Sequence, residues 1–183
     1  MDRSHPYLRL DVIITPAADI MRLWRTLCPV DRAFLRLIIR DLPLLVDSPI
    51  DWTLLRTAIS FWDTQHAVFN FQGTELAPTI EEYAALIQRP VPTRDIVVPN
   101  QYATIHSRLT VLLGLRGEEI RCELQYGWEH GIRTEWLIDF IHIRALRATG
   151  ESYQRDACHG FIPLIFGTIL FPHASDLIDG ALA

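Results

Sequence analysis

Residues 134–149, TEWLIDFIHIRALRAT, decide how the rest of the chain is expected to fold. Apolar residues surround this predicted helix on almost every side, and only a narrow polar stripe interrupts them: Glu135, Asp139 and His142. A helix that is apolar all round is stable only inside a protein, because water would otherwise contact its hydrophobic surface. The segment therefore predicts a central, mostly buried helix against which the other helices pack.

Further helices are predicted on both sides of this segment by apolar residues that recur at helical spacing. The predicted helices cover about 16–27, 29–40, 51–62, 80–88, 102–113, 117–124, 134–149 and 152–171. Thr15 and Pro16 provide the cap and the first position of the first helix, and Pro163 is expected to kink the last one. The predicted fold is mainly α: a single irregular multi-helix domain at 16–183, with one small β-hairpin near residues 67–77, after an N-terminal extension at 1–15.

Residues 61–83, FWDTQHAVFNFQGTELAPTIEEY, combine aromatic, acidic and turn residues and predict a corner that defines the fold. Two extended runs, 67–71 and 74–77, are joined by Gln72 and Gly73, where glycine supplies the positive φ of a tight hairpin. Thr79 and Glu82 then form a capping box that starts the next helix. We expect the aromatic side chains to pack inward. The structural motif comprises Trp24, Phe61, Trp62, Asp63, Phe69, Phe71, Gly73, Thr79, Glu82 and Tyr83.

The composition excludes several classes of function. All seventeen Lys and Arg positions are arginine. Without lysine the chain can form neither the Schiff base of a pyridoxal-phosphate enzyme nor a Walker phosphate loop, and no cofactor is expected. The net charge of −5 is divided into +1 for residues 1–56 and −6 for residues 57–183, which argues against an autonomous nucleic-acid-binding protein. Three distant cysteines predict neither a disulfide framework nor a zinc site.

The sequence also shows no expected secretion signal or membrane span. The first twenty residues contain three aspartates and no long apolar run, unlike a secretory signal. The longest apolar run, FIPLIFGTILF at 161–171, is shorter than the roughly twenty residues that span a bilayer. A nuclear or cytoplasmic location and no membrane contact are therefore expected.

A few side chains could in principle support catalysis. A small hydrolase-like enzyme would require Glu75, Asp139 and His142 to converge in one pocket. Cys158 and His159 suggest a nucleophile with its base, but neighbouring side chains on a helix diverge by about 100°. We predict instead that Cys158 is buried and inert, that Asp139 and His142 form a hydrogen-bonded structural pair, and that no residue is catalytic.

Arginines in the first quarter of the chain form the one candidate interaction surface. It comprises Arg22, Arg25, Arg32, Arg36 and Arg40. Three of them recur every four residues on the predicted second helix, on the side opposite Phe34, Leu35, Ile38 and Leu42. Such a stripe binds an acidic protein or a phosphate backbone, or else is a solvated face paired with Asp31 and Asp41.

Several blocks of the chain together resemble the plant mobile domain group, a set of plant domains associated with transposable elements and sometimes labelled aminotransferase-like. The blocks are Leu23-Trp24, Phe61-Trp62-Asp63, Phe69 and Phe71, Glu75-Leu76, residues 78–83 (PTIEEY), Gly167, Leu170-Phe171-Pro172 and Ile178-Asp179. The likeness covers most of the chain from about Ile20. It implies a mainly helical, nuclear domain linked to gene or transposon silencing, with protein partners that in some relatives are phosphatase-like. It transfers no catalytic residue, and the absence of lysine contradicts the aminotransferase label.

The resemblance has two departures in this chain. Pro163 stands where the relatives have an uninterrupted helix, and the domain is expected to continue beyond Ala183, so that its C-terminal end is truncated here. The function expected from the sequence is a non-catalytic interaction domain linked to transposable elements or silencing. Nucleic-acid binding through the arginines and a small hydrolase-like enzyme are the alternatives.

Overall fold

The computed structural model describes residues 16–66, 68–77, 79, 82, 84–85, 105–126, 130–147, 151–172 and 176–182, without the side chains of 151–154. Within these residues the chain forms a mainly helical domain with two small antiparallel sheets. The predicted fold class is therefore confirmed. The N-terminal extension, Thr15 and Tyr83 lie outside the described residues.

Four helices make up the first part of the chain. They are α1 (Ala17–Thr26), α2 (Pro29–Ile39), α3 (Leu42–Leu45) and α4 (Trp52–Ile59). The first buries Ile20, Leu23 and Trp24, as its apolar spacing predicts. The Asp51 side chain caps α4 by accepting hydrogen bonds from the backbone amides of the second and third residues after it.

Four further α-helices make up the second half of the described chain. They are α5 (Ile105–Leu113), α6 (Gly117–Tyr126), α7 (Thr134–Leu146) and α8 (Glu151–Ile165). The predicted central helix, α7, is buried through Leu137, Ile138 and Ile141, and it packs on α1 and α8. However, α8 has more neighbours, because it contacts α2, α5 and α7. The core is therefore organised around α8 as well as α7.

The last helix continues through Pro163. Its hydrogen bonding then changes from α to π over Phe166–Leu170, and the Phe171 amide donates to the Phe166 carbonyl at 2.7 Å. Proline has no amide hydrogen, so one carbonyl of the preceding turn lacks its usual helical partner. Pro163 thus lies three residues before the change from α to π hydrogen bonding, and it does not interrupt the helix.

The first sheet contains the predicted hairpin and one additional strand. Its strands are β1 (Trp62–Asp63), β2 (Val68–Phe71) and β3 (Thr74–Leu76), in the order β1-β2-β3. Gln72 and Gly73 form the two-residue turn with φ of 53° and 92°. Positive φ at both positions is the geometry that matches the twist of hairpin strands. The hairpin prediction is confirmed, and β1 extends it into a meander.

The second sheet joins distant parts of the chain. It pairs β4 (Gly131–Arg133) with β5 (Leu177–Asp179), and a short 3₁₀ helix, Gly180–Leu182, follows. The π-helical turn packs closely on this sheet, since a Cβ at Gly167 would lie 2.5 Å from Ile178 Cγ2. The sequence did not predict this sheet, because each strand has only three residues and its partner is remote in the chain.

Residues 44–77 form an arm whose described residues are all at least partly exposed to solvent. Its aromatic side chains pack on one another: the ring centroids of Phe61 and Phe71 are 4.6 Å apart, and those of Trp62 and Phe69 are 4.9 Å apart. The expectation that they pack inward is therefore wrong. Aromatic rings on adjacent strands and at neighbouring positions pack against each other on the small sheet, so this aromatic cluster forms outside the main core.

The predicted capping box is present. The Thr79 amide donates to Glu82 Oε2 at 2.8 Å, and the Glu82 amide donates to Thr79 Oγ1 at 3.2 Å. Glu82, Ala84 and Ala85 are helical. The remainder of the predicted helix at 80–88 lies outside the described residues.

Candidate interaction surfaces

The predicted arginine stripe does not continue along one helix. Arg32 and Arg36 lie on α2, but Arg40 follows its last residue and has a positive φ of 51°. Because that backbone conformation ends the helix, Arg40 leaves the four-residue repeat. Leu42, predicted on the apolar side of α2, is instead a buried residue of α3.

Two of the arginines are held by acidic neighbours. Arg22 Nη2 lies 2.8 Å from Asp19 Oδ1, and Arg36 Nε lies 3.4 Å from Asp41 Oδ1. The Arg36 guanidinium also lies over the Trp24 ring, 5.7 Å from its centroid. These contacts are exposed and therefore weak, but they direct both side chains along the protein surface.

The other three arginines differ from one another. Arg40 is half-buried, and its Nε is enclosed without a hydrogen-bond partner. Arg25 and Arg32 form no ion pair with any residue in the described part of the chain. The five arginines are therefore not one continuous patch of free positive charge, and Arg25 and Arg32 are the two available for a partner.

The exposed side of α2 is apolar. Val30 is 75% exposed, Phe34 is 41% exposed and Leu37 is 61% exposed. Positions i, i+4 and i+7 of a helix share one side. We call these three residues the α2 face. Phe34 was predicted on the same apolar side as Leu35, but it is exposed, because α2 turns Leu35 and Ile39 toward the core instead.

A charged pair stabilises the loop between β1 and β2. Asp63 Oδ2 lies 2.9 Å from His66 Nδ1, and Asp63 Oδ1 accepts from the amides of Gln65 and His66. The hydrogen bond and charge of Asp63 raise the pKa of His66 above its ordinary 6.5. The hydrogen bond from His66 and those from the two amides lower the pKa of Asp63.

These shifts predict a pH window for the pair. The raised pKa of His66 favours the folded state at low pH, and this contribution disappears as pH rises through the folded pKa. The lowered pKa of Asp63 acts oppositely, and its contribution disappears as pH falls through the folded pKa. The pair therefore stabilises the loop between its two pKa values. An NMR titration of the His66 ring should give a pKa above 6.5.

The matched variants for this titration are Asp63→Asn and Glu75→Gln. Asp63→Asn should return the pKa of His66 toward its ordinary value, because it removes the first two causes of the shift. Glu75→Gln removes only the weakest contribution and should change the pKa far less. Equal changes in the two variants would show that the hydrogen bond to Asp63 is not the cause.

The cysteine and histidine considered as a catalytic pair have structural environments. Cys158 is buried in α8, and this burial raises the pKa of its thiol to about 12. A thiol with that pKa is almost entirely protonated at neutral pH and is a poor nucleophile. His159 Nδ1 lies 3.2 Å from the Leu112 carbonyl, a hydrogen bond that links α8 to α5.

The three residues of the hydrolase alternative do not form one catalytic group. Glu75 is exposed on β3 in the arm, and Asp139 is exposed on α7. The predicted hydrogen bond between Asp139 and His142 is not formed, since His142 Nδ1 is enclosed without a partner. No hydrogen bond or ion pair among the described residues links Glu75 with either of them.

An ion pair between a buried carboxylate and a half-exposed guanidinium was missed at the sequence level. Glu123 on α6 is only 4% exposed and lies 2.8 Å from Arg133 on β4. The Arg133 guanidinium also lies over the Tyr126 ring, 4.6 Å from its centroid. Ten positions separate the two charges, so helical spacing gives no signal of their contact.

The described part of the chain contains no group of three or more metal-binding side chains and no helix long and apolar enough to cross a bilayer. Comparison with protein-family models matches residues 32–183 to a domain of unknown function, DUF7745. Searches of curated proteins and of solved structures find no match. The family match therefore relates most of the chain to other members of this family, but it does not indicate an activity.

Proposed function

Because the chain belongs to the domain of unknown function DUF7745, we propose its role from its own surfaces: it is a non-catalytic protein-interaction domain. The observation that supports this proposal is the α2 face, where Val30, Phe34 and Leu37 remain exposed on a helix whose other side enters the core. Adjacent exposed apolar side chains on one helix are typical of protein-binding surfaces.

The shape of the α2 face favours a helical partner. Its residues form a ridge with spacing i, i+4 and i+7, which packs between the side chains of a second helix. Burying three large apolar side chains against such a helix contributes roughly 1.5–3 kcal/mol each before the entropic cost of association. We therefore expect the partner to present an amphipathic helix with its apolar side toward α2.

The arginines of α2 lie away from the α2 face. Arg32 and Arg36 follow Val30 and Phe34 by two positions each, which is about 200° around a helix, so they lie on the other side of α2 from the apolar ridge. Arg36 there holds Asp41 at 3.4 Å. The two arginines therefore do not determine the charge of the partner helix.

Direct nucleic-acid binding is the second candidate and has weaker support. The arginines are divided between paired, enclosed and free side chains, and the whole chain carries a net charge of −5. Phosphate binding draws on several unpaired cations that act together. Apolar residues at the centre of the surface also favour a protein over a phosphate backbone.

The resemblance to the plant mobile domain group adds the biological setting to the proposal. On that basis we place the interaction in the nucleus, in gene or transposon silencing, with a phosphatase-like protein as the partner. Val30, Phe34 and Leu37 would then bind an amphipathic helix of that protein. Among the residues that the structure describes, no group of converging side chains supports the hydrolase alternative.

Affinity capture from plant nuclear extract, with and without nuclease, would identify the partner, and its binding helix would then be made as a synthetic peptide. The test variant is Val30→Ser with Leu37→Ser. The control is Val111→Ser with Leu146→Ser, which makes the same two changes at other exposed helix positions. We expect the test variant to bind the peptide at least tenfold more weakly, because it removes two apolar contacts.

Three results would contradict the proposal. Capture that disappears with nuclease would make nucleic acid the ligand. Equal binding by the test and control variants would place the contact elsewhere on the domain. A captured segment that is not an amphipathic helix would exclude the helical partner.

A further inference from the structure

A groove of about 510 Å³ runs between α6 and α7. Trp136 and Phe140 of α7 line one side, and Glu118 and Glu119 of α6 line the other. Asp139 lies between the two aromatic residues in the sequence and also faces the groove. The site is therefore concave, mainly apolar and bordered by three carboxylates, which is a common composition for a ligand groove.

The two aromatic rings form a flat wall along α7. The ring centroids of Trp136 and Phe140 are 5.9 Å apart, and their planes differ by only 12°. One end of the wall already holds a cation, since the Arg144 guanidinium carbon lies 5.3 Å from the Phe140 centroid. The faces of aromatic rings attract guanidinium and ammonium groups, and tryptophan does so more strongly than phenylalanine.

The Trp136 end of the wall has no corresponding cation among the described side chains. It does have a free negative charge beside it. Asp139 follows Trp136 by three positions, is exposed, and forms no ion pair with another described residue. A ring face and a carboxylate on the same side of a helix provide the two attractions that bind a cationic side chain.

Arginines of the same helix region already hold the two glutamates of the opposite wall. Glu118 holds Arg121 at 2.9 Å, and Glu119 holds the backbone and side chain of Arg116 at 3.1 and 3.3 Å. The backbone amide of Arg116, followed by its side chain, lowers the pKa of Glu119. Asp139 is therefore the carboxylate of the groove that forms no ion pair among the described residues.

From this geometry we infer that the groove binds an arginine or lysine side chain of a peptide, with the cation between the Trp136 ring and the Asp139 carboxylate. An apolar residue next to that cation packs on Leu115 and Ile143, which also line the groove. The argument rests on charge complementarity and on the internal example of Arg144 over Phe140. It does not depend on the α2 face or on the proposed helical partner.

The probe that tests this inference is a short synthetic peptide of alternating leucine and arginine. Its matched control replaces arginine by citrulline, which keeps the shape and removes the charge. NMR would follow the Trp136 indole N–H signal, assigned with the variant Trp136→Phe. We expect the arginine peptide to shift this signal and the citrulline peptide to bind about fivefold more weakly.

Asp139→Asn is the main variant because Asp139 is exposed and its replacement should not affect folding. Asp139→Asn should weaken the binding of the arginine peptide about fivefold. The control Asp47→Asn removes the same charge from an exposed turn after α3 and should leave binding unchanged. Equal binding of the two peptides, equal binding by both variants, or no shift of the Trp136 signal at millimolar peptide would each overturn the inference.

Discussion

Replacing Arg133 with Ala is expected to lower the free energy of unfolding by about 1–3 kcal/mol. Glu123 is the reason, because its carboxylate is 4% exposed. Its Oε1 accepts from the Arg133 backbone amide and from Nε, each at 3.0 Å, and its Oε2 accepts from Nη2 at 2.8 Å. The variant keeps only the backbone hydrogen bond and leaves a buried negative charge without its cation.

Urea denaturation of Arg133→Ala and of a matched control, Arg121→Ala, would measure this difference. Arg121 holds Glu118 at 2.9 Å on the exposed side of α6, so its loss should change stability by less than about 0.5 kcal/mol. Adding Glu123→Gln to Arg133→Ala should recover part of the lost stability, since it removes the unpaired charge. Equal effects of the two Arg variants would mean that the Glu123 site is hydrated.

The position of this ion pair explains why the effect should spread beyond α6. Arg133 is the last residue of β4 and immediately precedes α7. The next residue, Thr134, donates its amide to the Asp176 carbonyl at 2.8 Å, which attaches the same point to the chain before β5. Three distant segments therefore meet where Glu123 binds Arg133.

Replacing Phe161 with Ala is expected to cost about 3–5 kcal/mol, the range for removing a large aromatic side chain from a core. Phe161 lies on α8 and is 0% exposed. Its ring centroid is 5.7 Å from that of Trp24 on α1. The substitution leaves a cavity on the helix that contacts α2, α5 and α7, and none of these can move in without disturbing the others.

Phe34→Ala provides the matched control, because it makes the same chemical change on the α2 face. Its effect on the free energy of unfolding should stay below about 1 kcal/mol, as is usual for a surface substitution. Chemical denaturation of both variants gives the comparison. If Phe34→Ala destabilises the protein as much as Phe161→Ala, then the α2 face is part of the core and does not bind a partner.

Local features of the fold were predictable from the sequence. The helix starts near Pro29 and Asp51, the turn at Gln72-Gly73 and the capping box at Thr79 are each encoded within a few residues, whereas the first helix begins at Ala17 with the predicted first residue, Pro16, in the cap position. Such features depend on backbone dihedrals and on hydrogen bonds between near neighbours. A short window of sequence contains all the groups that take part in them.

The candidate surfaces were predicted only in part. The arginines were found from their spacing, but the end of α2 removes Arg40 from the stripe. Phe34 was predicted on the same side of the helix as the buried Leu35, because apolar spacing does not say which of two adjacent apolar rows faces inward. The groove between α6 and α7 gave no signal, since Glu118 and Trp136 belong to helices whose packing the sequence does not state.

The sequence by itself determined a mainly helical chain, the positions of its turns and caps, and the exclusion of lysine-dependent chemistry. Only the tertiary structure decided that the aromatic residues of the arm stay outside the core, that Glu123 is buried against Arg133, and that Trp136 and Asp139 face a groove. The physical reason is the range of the interactions. Backbone geometry and capping act between neighbours in sequence, whereas burial and charge pairing depend on which distant surfaces meet.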